Sequence, residues 1–231
     1  MRPWTASLAG WAVDDKALTE QQFARQRQQL VMHLRRLGIG DERVLWAMEQ
    51  VPRHLFVDAA YQHAAYEDRP LPIGQDQTIS QPYIVARMTE ALLGNSEPPP
   101  QKVLEIGTGC GYQCAILALL VNQVYSIERL FGLLDQARRN LASLDIHNCT
   151  LRHGDGFAGW PEEAPFDGIL VTAAPSSIPE SLTAQLADGG RLVLPVGDEH
   201  QELLAVQRCG DTLQETLLEP VRFVPLLPGI A

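Results

Sequence analysis

Residues 103–112, VLEIGTGCGY, decide the fold of this chain. An apolar run ends in three glycines with GxGxG spacing, Gly107, Gly109 and Gly111, and an apolar helical pattern follows. Glycines at a strand-to-helix turn permit positive φ and let a ligand approach the backbone closely. The N-terminus of the following helix offers free N–H groups to that ligand. This stretch therefore predicts a strand–loop–helix unit with a ligand site at the carboxyl end of the strand.

Apolar strands and amphipathic helices alternate through the second half of the chain, which predicts parallel strand pairing with right-handed crossovers. One such helix is predicted over 177–190, with Pro179 in its first turn and Gly189-Gly190 as its stop. Segments 203–208 and 216–224 follow at short spacing and indicate a hairpin at the edge of the sheet. The predicted strands are KVLEI (102–106), QVYSI (123–127), CTLRH (149–153), DGILVTA (167–173) and RLVLPV (191–196).

The predicted fold class is α/β. It is a doubly wound, mostly parallel Rossmann-like sheet in three layers, with an N-terminal helical addition and a C-terminal edge hairpin. The stretch GNSEPPPQK (94–102) predicts a linker, because three successive prolines cannot continue a helix or a central strand. It divides a helical N-terminal lobe, residues 19–94, from a larger domain, residues 101–231. Residues 1–18 are expected to form a mobile extension.

Composition excludes several classes of function. The chain has 231 residues, with 18 Lys+Arg against 28 Asp+Glu and a net charge of −10, which disfavours binding to a phosphate backbone. No run approaches the roughly 18 apolar residues of a membrane span, and the N-terminus does not resemble a secretory signal. The four cysteines and six histidines show no metal-ligand spacing. We therefore expect a cytoplasmic monomer without a metal, which binds neither nucleic acid nor a membrane.

Two carboxylates indicate which class of nucleotide-like ligand fits this loop. Glu128 ends the second predicted strand, where it can accept both ribose hydroxyls of an adenosine. Glu105 lies two residues before the first glycine, where it would repel a pyrophosphate but suits a positively charged ligand. The spacing also differs from the GxGxxG of dinucleotide folds, and no GxxxxGK[ST] loop occurs. These features favour S-adenosylmethionine, which carries a sulfonium and an amino group and no phosphate. A glycine-rich turn with nothing bound is the structural alternative.

Two further loops follow strands at the same edge of the sheet. Asp155 in the loop HGDGF can accept a hydrogen bond from the exocyclic amine of adenine, and Gly156 leaves its backbone N–H accessible. Small residues in TAAP (172–175) leave room for a substrate. An ordinary turn and a helix-packing requirement are the respective alternatives.

Several stretches resemble the protein-L-isoaspartate O-methyltransferase family of the bacterial type. The likeness extends from about Leu30 to the C-terminus, and PIGxxQTISQP is its most specific part. The resemblance implies methyl transfer from S-adenosylmethionine to the free α-carboxylate of L-isoaspartyl residues in damaged proteins and peptides. The methyl ester then closes to a succinimide, which opens partly to normal aspartate. The stretches are residues 65–93, VLEIGTGCGYQCAILA (103–118), LRHGDGF (151–157), VTAAP (171–175) and VRFVPL (221–226).

The family pattern implies a role for each matching residue. Ser80 in QTIS is the active-site hydroxyl, with Thr78 beside it, and VRFVPL lies where the substrate peptide is held. From the residues alone, a helix cap is the favoured role of Ser80, and the two roles are compatible. The cofactor positions of the family fall on Glu105, Gly107, Gly109, Gly111, Glu128, Asp155 and Gly156.

Three residues depart from the family pattern. Cys110 and Cys114 replace residues that are usually Ser and Thr, which are similar in size. Asp76 replaces a usual Gly and, if it points inward, adds a negative charge near a site that must accept a carboxylate. A carboxylate nucleophile is already ionised at pH 7, with a pKa of about 3.5 to 4, so no general base is needed.

Other classes of function stay open at this point. One alternative is a class I methyltransferase that acts on a different substrate. Another is a catalytically silent binding module that retains the cofactor fold. A dehydrogenase is disfavoured by the GxGxG spacing and by Glu105.

Overall fold

A computed structural model of the chain describes residues 15–94 and 99–231. Most of the predicted N-terminal extension, residues 1–14, lies outside the described residues, and residues 15–18 belong to the first helix. Part of the predicted linker, residues 95–98, also lies outside them. Among the described helices, none is long and apolar enough to cross a membrane.

The N-terminal part contains helices, as predicted, and also a small hairpin that the helical patterns did not indicate. The two hairpin strands pair antiparallel and lie just before the third helix. The elements are α1 (Asp15–Arg36), α2 (Glu42–Gln50), 3-10 helices at Arg53–Phe56 and Ala59–Ala64, β1 (Leu71–Gly74), β2 (Gln77–Ile79) and α3 (Pro82–Leu93).

The turn between β1 and β2 accounts for one departure from the family pattern. Gln75 and Asp76 form this turn with φ values of 51° and 56°. Glycine adopts such values without strain, which explains why glycine is usual at position 76. Asp76 is exposed on the turn and is not among the residues that line the cleft described below. Its carboxylate therefore does not point into the site.

The C-terminal part forms one seven-stranded sheet in the order β5-β4-β3-β6-β7-β8-β9. Strands β3 to β7 are parallel, and β8 and β9 add antiparallel at one edge, so the predicted fold class with its edge hairpin is confirmed. The elements are β3 (Lys102–Ile106), α4 (Tyr112–Ala118), β4 (Gln123–Glu128), α5 (Phe131–Ser143), β5 (Cys149–His153), β6 (Phe166–Val171), α6 (Glu180–Thr183), β7 (Leu186–Val196), β8 (Gln201–Cys209) and β9 (Thr212–Val221).

The helix predicted over 177–190 is wrong in its extent. The helix α6 ends after one turn, and β7 already begins at Leu186, which pairs with Phe166 of β6. Residues 187–190 form a bulge near the start of β7, because Leu186 pairs with Phe166 of β6 while Arg191 already pairs with Gly168. A Cβ at Gly190 would lie 2.9 Å from the Ala187 carbonyl oxygen, so glycine permits the close backbone approach in this bulge.

Two apolar layers cover the two faces of the sheet. Val103 points to one face and packs with residues of α1 to α5, whereas Leu104 points to the other and packs with Phe166 and α6. This alternation is the period of a strand buried on both faces. The first layer is continuous from the N-terminal helices to the sheet, so both predicted parts of the chain share one core.

The glycine loop leaves the sheet at β3, which lies between β4 and β6. Chain connections diverge to opposite sides there, and open α/β sheets bind ligands in the resulting crevice. Gly107 has a φ of 94°, and a Cβ at this position would lie 2.3 Å from Oγ1 of Thr172. Glycine is therefore required at position 107 for both its backbone angle and its close contact.

We expect Gly107→Ala to lose more stability than Gly189→Ala. Both residues have positive φ, but nothing lies within 4 Å of a Cβ at Gly189. The strain of the backbone costs about 1 kcal/mol at either site, and overpacking against Thr172 adds about 1–3 kcal/mol at Gly107 only. Denaturant unfolding of both variants measures the difference. Equal losses, or no recovery in Gly107→Ala/Thr172→Ala, would contradict the close-contact explanation.

Candidate active site

A cleft opens at the carboxyl ends of β3, β4 and β6, where the sequence predicted a ligand site. The glycine loop forms one side, the β1–β2 hairpin forms the opposite side, and residues 224–227 after β9 close the third side. Of the catalytic and cofactor residues predicted from the sequence, those that line this cleft are Thr78, Ser80, Gly107, Gly109, Glu128 and Gly156. The segments TAAP and VRFVPL, predicted on the substrate side, contribute Thr172, Ala173 and residues 224–226 to the lining.

Glu128 lines the cleft, and the residue is only 6% exposed. Its Oε2 accepts a hydrogen bond from the Gly109 N–H at 2.8 Å, and its Oε1 accepts one from the Leu130 N–H at 3.0 Å. Each carboxylate oxygen can accept a second hydrogen bond. Glu128 therefore holds the loop in place and keeps acceptor capacity for a hydroxyl pair.

Glu105 does not line the cleft, although the sequence suggested that it faces a charged ligand. Its side chain is fully buried behind the glycine loop, on the α4 side of the sheet. Burial raises the pKa of Glu105 to about 8, although the hydrogen bond that Ser126 donates to its Oε2 acts to lower it. At neutral pH this group is mainly protonated, so it does not supply a full negative charge.

Glu105 contacts the glycine loop indirectly. Ser126 links Glu105 to Thr108, with 2.6 Å between the hydroxyl oxygens of Ser126 and Thr108, and Thr108 lines the cleft.

Cys114 of α4 is one of the residues that depart from the family pattern. The pKa of its thiol is raised well above its usual range by its hydrogen bond with Cys149 and by burial. Cys114 thus stays a neutral thiol, which agrees with its replacement of an uncharged residue of similar size.

Asp155 and Gly111 also lie outside the lining of the cleft. The Oδ1 of Asp155 accepts a hydrogen bond from Phe157 N–H, and its Oδ2 accepts one from Gly229 N–H at 2.7 Å. Gly111 has a φ of 89° and is the residue at which the glycine loop passes into α4. It also packs against Ala137 of α5. Direct contact of either residue with a cofactor stays a prediction.

Residues 224–231 form a C-terminal strap across this side of the molecule. Ala174 N–H donates to the Val224 carbonyl, and Leu226 N–H donates back to the Ala174 carbonyl. Farther along, Gly229 reaches Asp155, and the Ala231 N–H donates to the Arg129 carbonyl at 2.8 Å. The strap thereby covers the ends of β4 and β5 next to the cleft.

Ser80 lies between β2 and α3 and is half-buried. Within the described parts of the chain its hydroxyl has no hydrogen-bond partner, and α3 begins at Pro82 with Gln81 as its N-cap. The Oδ1 of Asp68 instead accepts a hydrogen bond from the Tyr83 N–H at 2.8 Å, which caps the helix from another segment. The capping role suggested for Ser80 is therefore taken by Asp68.

A second, more open groove joins the cleft at Ser80. It extends between the start of α3 and the end of β9, past Asp68, Tyr83, Glu219 and Phe223. The residues that line both the cleft and the groove are Thr78, Ser80, Thr172 and Val224.

Sequence reasoning missed several residues of the cleft. Leu130 and Arg129 line it directly after Glu128, and Ile73 of the hairpin lines its opposite side. An apolar residue two positions after an acidic strand end was the available signal for Leu130. Among the residues that the structure describes, no group of three or more His, Cys, Asp or Glu side chains could hold a metal ion.

A glycine loop after the first strand of a doubly wound sheet, with a carboxylate ending the next strand, defines the Rossmann-like methyltransferase class. Residues 25–230 match the family model described as protein-L-isoaspartate(D-aspartate) O-methyltransferase. The chain therefore belongs to the protein-L-isoaspartate O-methyltransferase family. This confirms the resemblance stated from the sequence.

Curated relatives and solved structures agree with this assignment. The chain is 59% identical to a protein-L-isoaspartate O-methyltransferase of Halorhodospira halophila, over 89% of this chain and 93% of the relative. It is 58% identical to one of Aeromonas salmonicida, over 87% and 97%.

A solved protein-L-isoaspartate O-methyltransferase superposes with a TM-score of 0.78 at 29% identity, covering 86% of this chain and 65% of that chain. A Plasmodium falciparum structure assigned to the same family, in complex with S-adenosyl-L-homocysteine, superposes with a TM-score of 0.74 at 27% identity. It covers 87% of this chain and 98% of that one.

The raised pKa of Glu105 predicts a pH-dependent stability. Between the unfolded pKa of about 4.3 and the folded value of about 8, the native state holds a proton that the unfolded chain releases. The stabilisation is complete below this window and is lost as pH rises through it, by up to about 1.4 kcal/mol per pH unit. Denaturant unfolding at about pH 5 and pH 8 should show a steeper loss in the wild type than in Glu105→Gln. Parallel pH profiles would show that Glu105 ionises normally.

Proposed function

We propose that this chain transfers a methyl group from S-adenosylmethionine to the α-carboxylate of L-isoaspartyl residues in damaged proteins and peptides. Family membership supports the activity. The observation that carries the proposal is the junction of the cofactor cleft with the open groove, where Thr78 and Ser80 line both. A polypeptide in the groove can present a carboxylate there to a methyl donor in the cleft.

The residues of the cleft fit the cofactor. Glu128 is suited to accept hydrogen bonds from the ribose hydroxyls, and the backbone at Gly107 and Gly109 is suited to the methionine part. Gly156 borders the adenine side, where a Cβ would lie 2.4 Å from a methyl carbon of Ile106, so only glycine leaves this space open. The cofactor supplies an electrophilic methyl group on its sulfonium.

The chain's own contribution to the reaction is alignment and exclusion of water. The acceptor carboxylate is ionised at neutral pH, so no side chain has to remove a proton. Ser80 is suited to donate a hydrogen bond to one carboxylate oxygen, because its hydroxyl has no partner among the described residues. Thr78 is exposed beside it and can donate a second one. These bonds point the other oxygen toward the methyl group and replace its hydration.

The groove suits a polypeptide rather than a small acceptor. It is open along one side and extends from Ser80 to Arg222 and Phe223, so a chain can enter on one side of the isoaspartyl residue and leave on the other. Both carboxylates and cations line it, including Asp68, Glu219 and Arg222. This mixed lining supports acceptance of many flanking sequences, as repair of random damage requires.

The proposal extends to the state of the protein in the cell. We place it as a monomer in the cytoplasm that does not bind nucleic acid. The net charge of −10 supports the last point, because phosphate backbones repel an acidic surface. The four cysteines are free thiols, which fits a reducing compartment.

Incubation with radiolabelled S-adenosylmethionine and a pair of peptides tests the activity. The peptides have one sequence and differ only in an isoaspartyl or an aspartyl linkage. We expect base-labile label on the isoaspartyl peptide alone, because methyl esters of carboxylates hydrolyse in base. Label on neither peptide, with intact cofactor binding, would favour a different substrate or a silent binding module. Equal label on both would contradict specificity for the isoaspartyl linkage.

Cofactor affinity should depend on Glu128. Glu128→Gln keeps the shape but leaves a single acceptor oxygen for three or more donors. Losing hydrogen bonds to a charged group costs about 1.5–3 kcal/mol, or about 10- to 150-fold in affinity. Calorimetric titration with S-adenosylhomocysteine measures this loss. Glu180→Gln, at an exposed glutamate of α6, is the matched control. Unchanged affinity in Glu128→Gln would remove Glu128 from the cofactor site.

Ser80→Ala is expected to impair the chemical step and not the fold. Loss of one hydrogen bond to a charged acceptor, formed fully only in the transition state, lowers kcat by about one to two orders of magnitude. Since Asp68 already caps α3, the melting temperature should stay close to that of the wild type. The measurements are kcat, melting temperature and S-adenosylhomocysteine affinity on one variant. A destabilised enzyme with normal kcat would make Ser80 a structural residue.

A further inference from the structure

Arg53 is a fully buried cation close to the proposed acceptor site. It begins the 3-10 helix Arg53–Phe56, and its side chain is 0% exposed. None of the ion pairs between described residues includes it, so no carboxylate in this part of the chain compensates its charge. Burying a charge without a counter-ion is unfavourable. The contacts of the guanidinium group must therefore offset this cost.

The guanidinium joins three segments of the chain. Its Nε donates to the Ala65 carbonyl at 2.9 Å, and its Nη2 donates to the Ser80 carbonyl at 2.7 Å. Its Cζ lies 4.8 Å from the centre of the Tyr112 ring, at the start of α4 directly after the glycine loop. Tyr112 and Ser80 both line the cofactor cleft. Arg53 thus connects the segment that carries the acceptor hydroxyl to the segment that carries the cofactor loop.

The contact with Ser80 holds the carbonyl of its peptide group. Ser80 lies outside both β2 and α3, so no ladder or helical hydrogen bond holds its carbonyl. A charge-assisted bond from a rigid, planar donor fixes this peptide group more firmly than a neutral donor would. The hydroxyl of Ser80 itself has no partner within the described residues, so its position depends on the backbone. Small errors in the alignment of reacting groups reduce rates strongly.

We propose that Arg53 is a positioning residue for methyl transfer, which acts by holding the Ser80 carbonyl so that the Ser80 hydroxyl faces the acceptor carboxylate. The inference rests on the proposed function. Arg53 itself is buried and does not line the cleft, so we expect it to contact neither reactant. Its second donor bond, to Ala65, and its position over Tyr112 keep the guanidinium in one place.

Two variants of Arg53 and one control test this role. Arg53→Met removes the donors and the charge, and Arg53→Lys keeps the charge but loses the rigid pair of donors. His54→Ala is the control, because His54 is a buried neighbour in the same 3-10 helix whose side chain contacts Phe23 and Tyr66 instead. Each variant is assayed for kcat and KM with the isoaspartyl peptide, for S-adenosylhomocysteine affinity and for melting temperature.

We expect kcat to fall by about tenfold or more in Arg53→Met, and by less in Arg53→Lys. Cofactor affinity should stay within about threefold of the wild type, because the glycine loop keeps its bonds to Glu128. In His54→Ala the melting temperature should fall while kcat stays within about twofold. A similar loss of kcat in the control, or a normal kcat in Arg53→Lys, would overturn the proposal. The Arg53→Lys comparison also decides the matter if Arg53→Met does not fold.

A double-mutant cycle with Ser80→Ala decides whether the effect passes through Ser80. If Arg53 acts by orienting the hydroxyl, its loss should lower kcat by less than about twofold once that hydroxyl is absent. Multiplicative losses in the double variant would show that Arg53 does not act through Ser80. The wild type is assayed first, and its labelling of the isoaspartyl peptide judges the proposed function separately from the role of Arg53.

Discussion

The hydrogen bonds that tie the glycine loop to the end of β4 determine the shape of the side of the cleft that faces the hairpin. Gly107 N–H donates to the Ile127 carbonyl, and Gly109 N–H donates to the Glu128 carboxylate. Because glycine can adopt many backbone conformations, the loop has a defined shape only when hydrogen-bond acceptors outside the loop hold it. The same carboxylate also accepts from Leu130 at the start of α5. One buried side chain therefore sets the loop, the next helix and the acceptor capacity toward a ligand.

Local patterns predicted the sheet but not the small elements beside it. The strand at Lys102–Ile106 and its partners were readable because each is an apolar run buried on both faces. The hairpin over Leu71–Ile79 was not, since its strands have three or four residues and include a proline. The residues after Thr183 have helix-like spacing, yet pairing of Leu186 with β6 makes them a strand. Long-range pairing there outweighs local preference.

In the site, too, local sequence patterns identified some residues and long-range contacts decided the others. Glu128 was identifiable because the end of a strand fixes its location at the cleft. Glu105 lies much closer to the glycines in sequence, two residues before Gly107, but its parity on β3 turns the side chain toward α4 and away from the cleft. Partners distant in sequence were beyond local patterns altogether. Arg53 and Ser80 are 27 residues apart, and Asp155 and Gly229 are 74 residues apart.

The C-terminal strap has a consequence for the order in which the protein matures on the ribosome. Synthesis proceeds from the N-terminus, so all five parallel strands are available for pairing before residues 224–229 are made. The cleft gains its third side only with Val224 to Leu227, and Asp155 gains its second donor only with Gly229. A ligand stabilises a state according to its affinity for that state, and this affinity is incomplete while one side of the cleft is missing. The nascent sheet therefore relies on its own apolar contacts, and the full stabilisation by the cofactor comes only after the strap is in place.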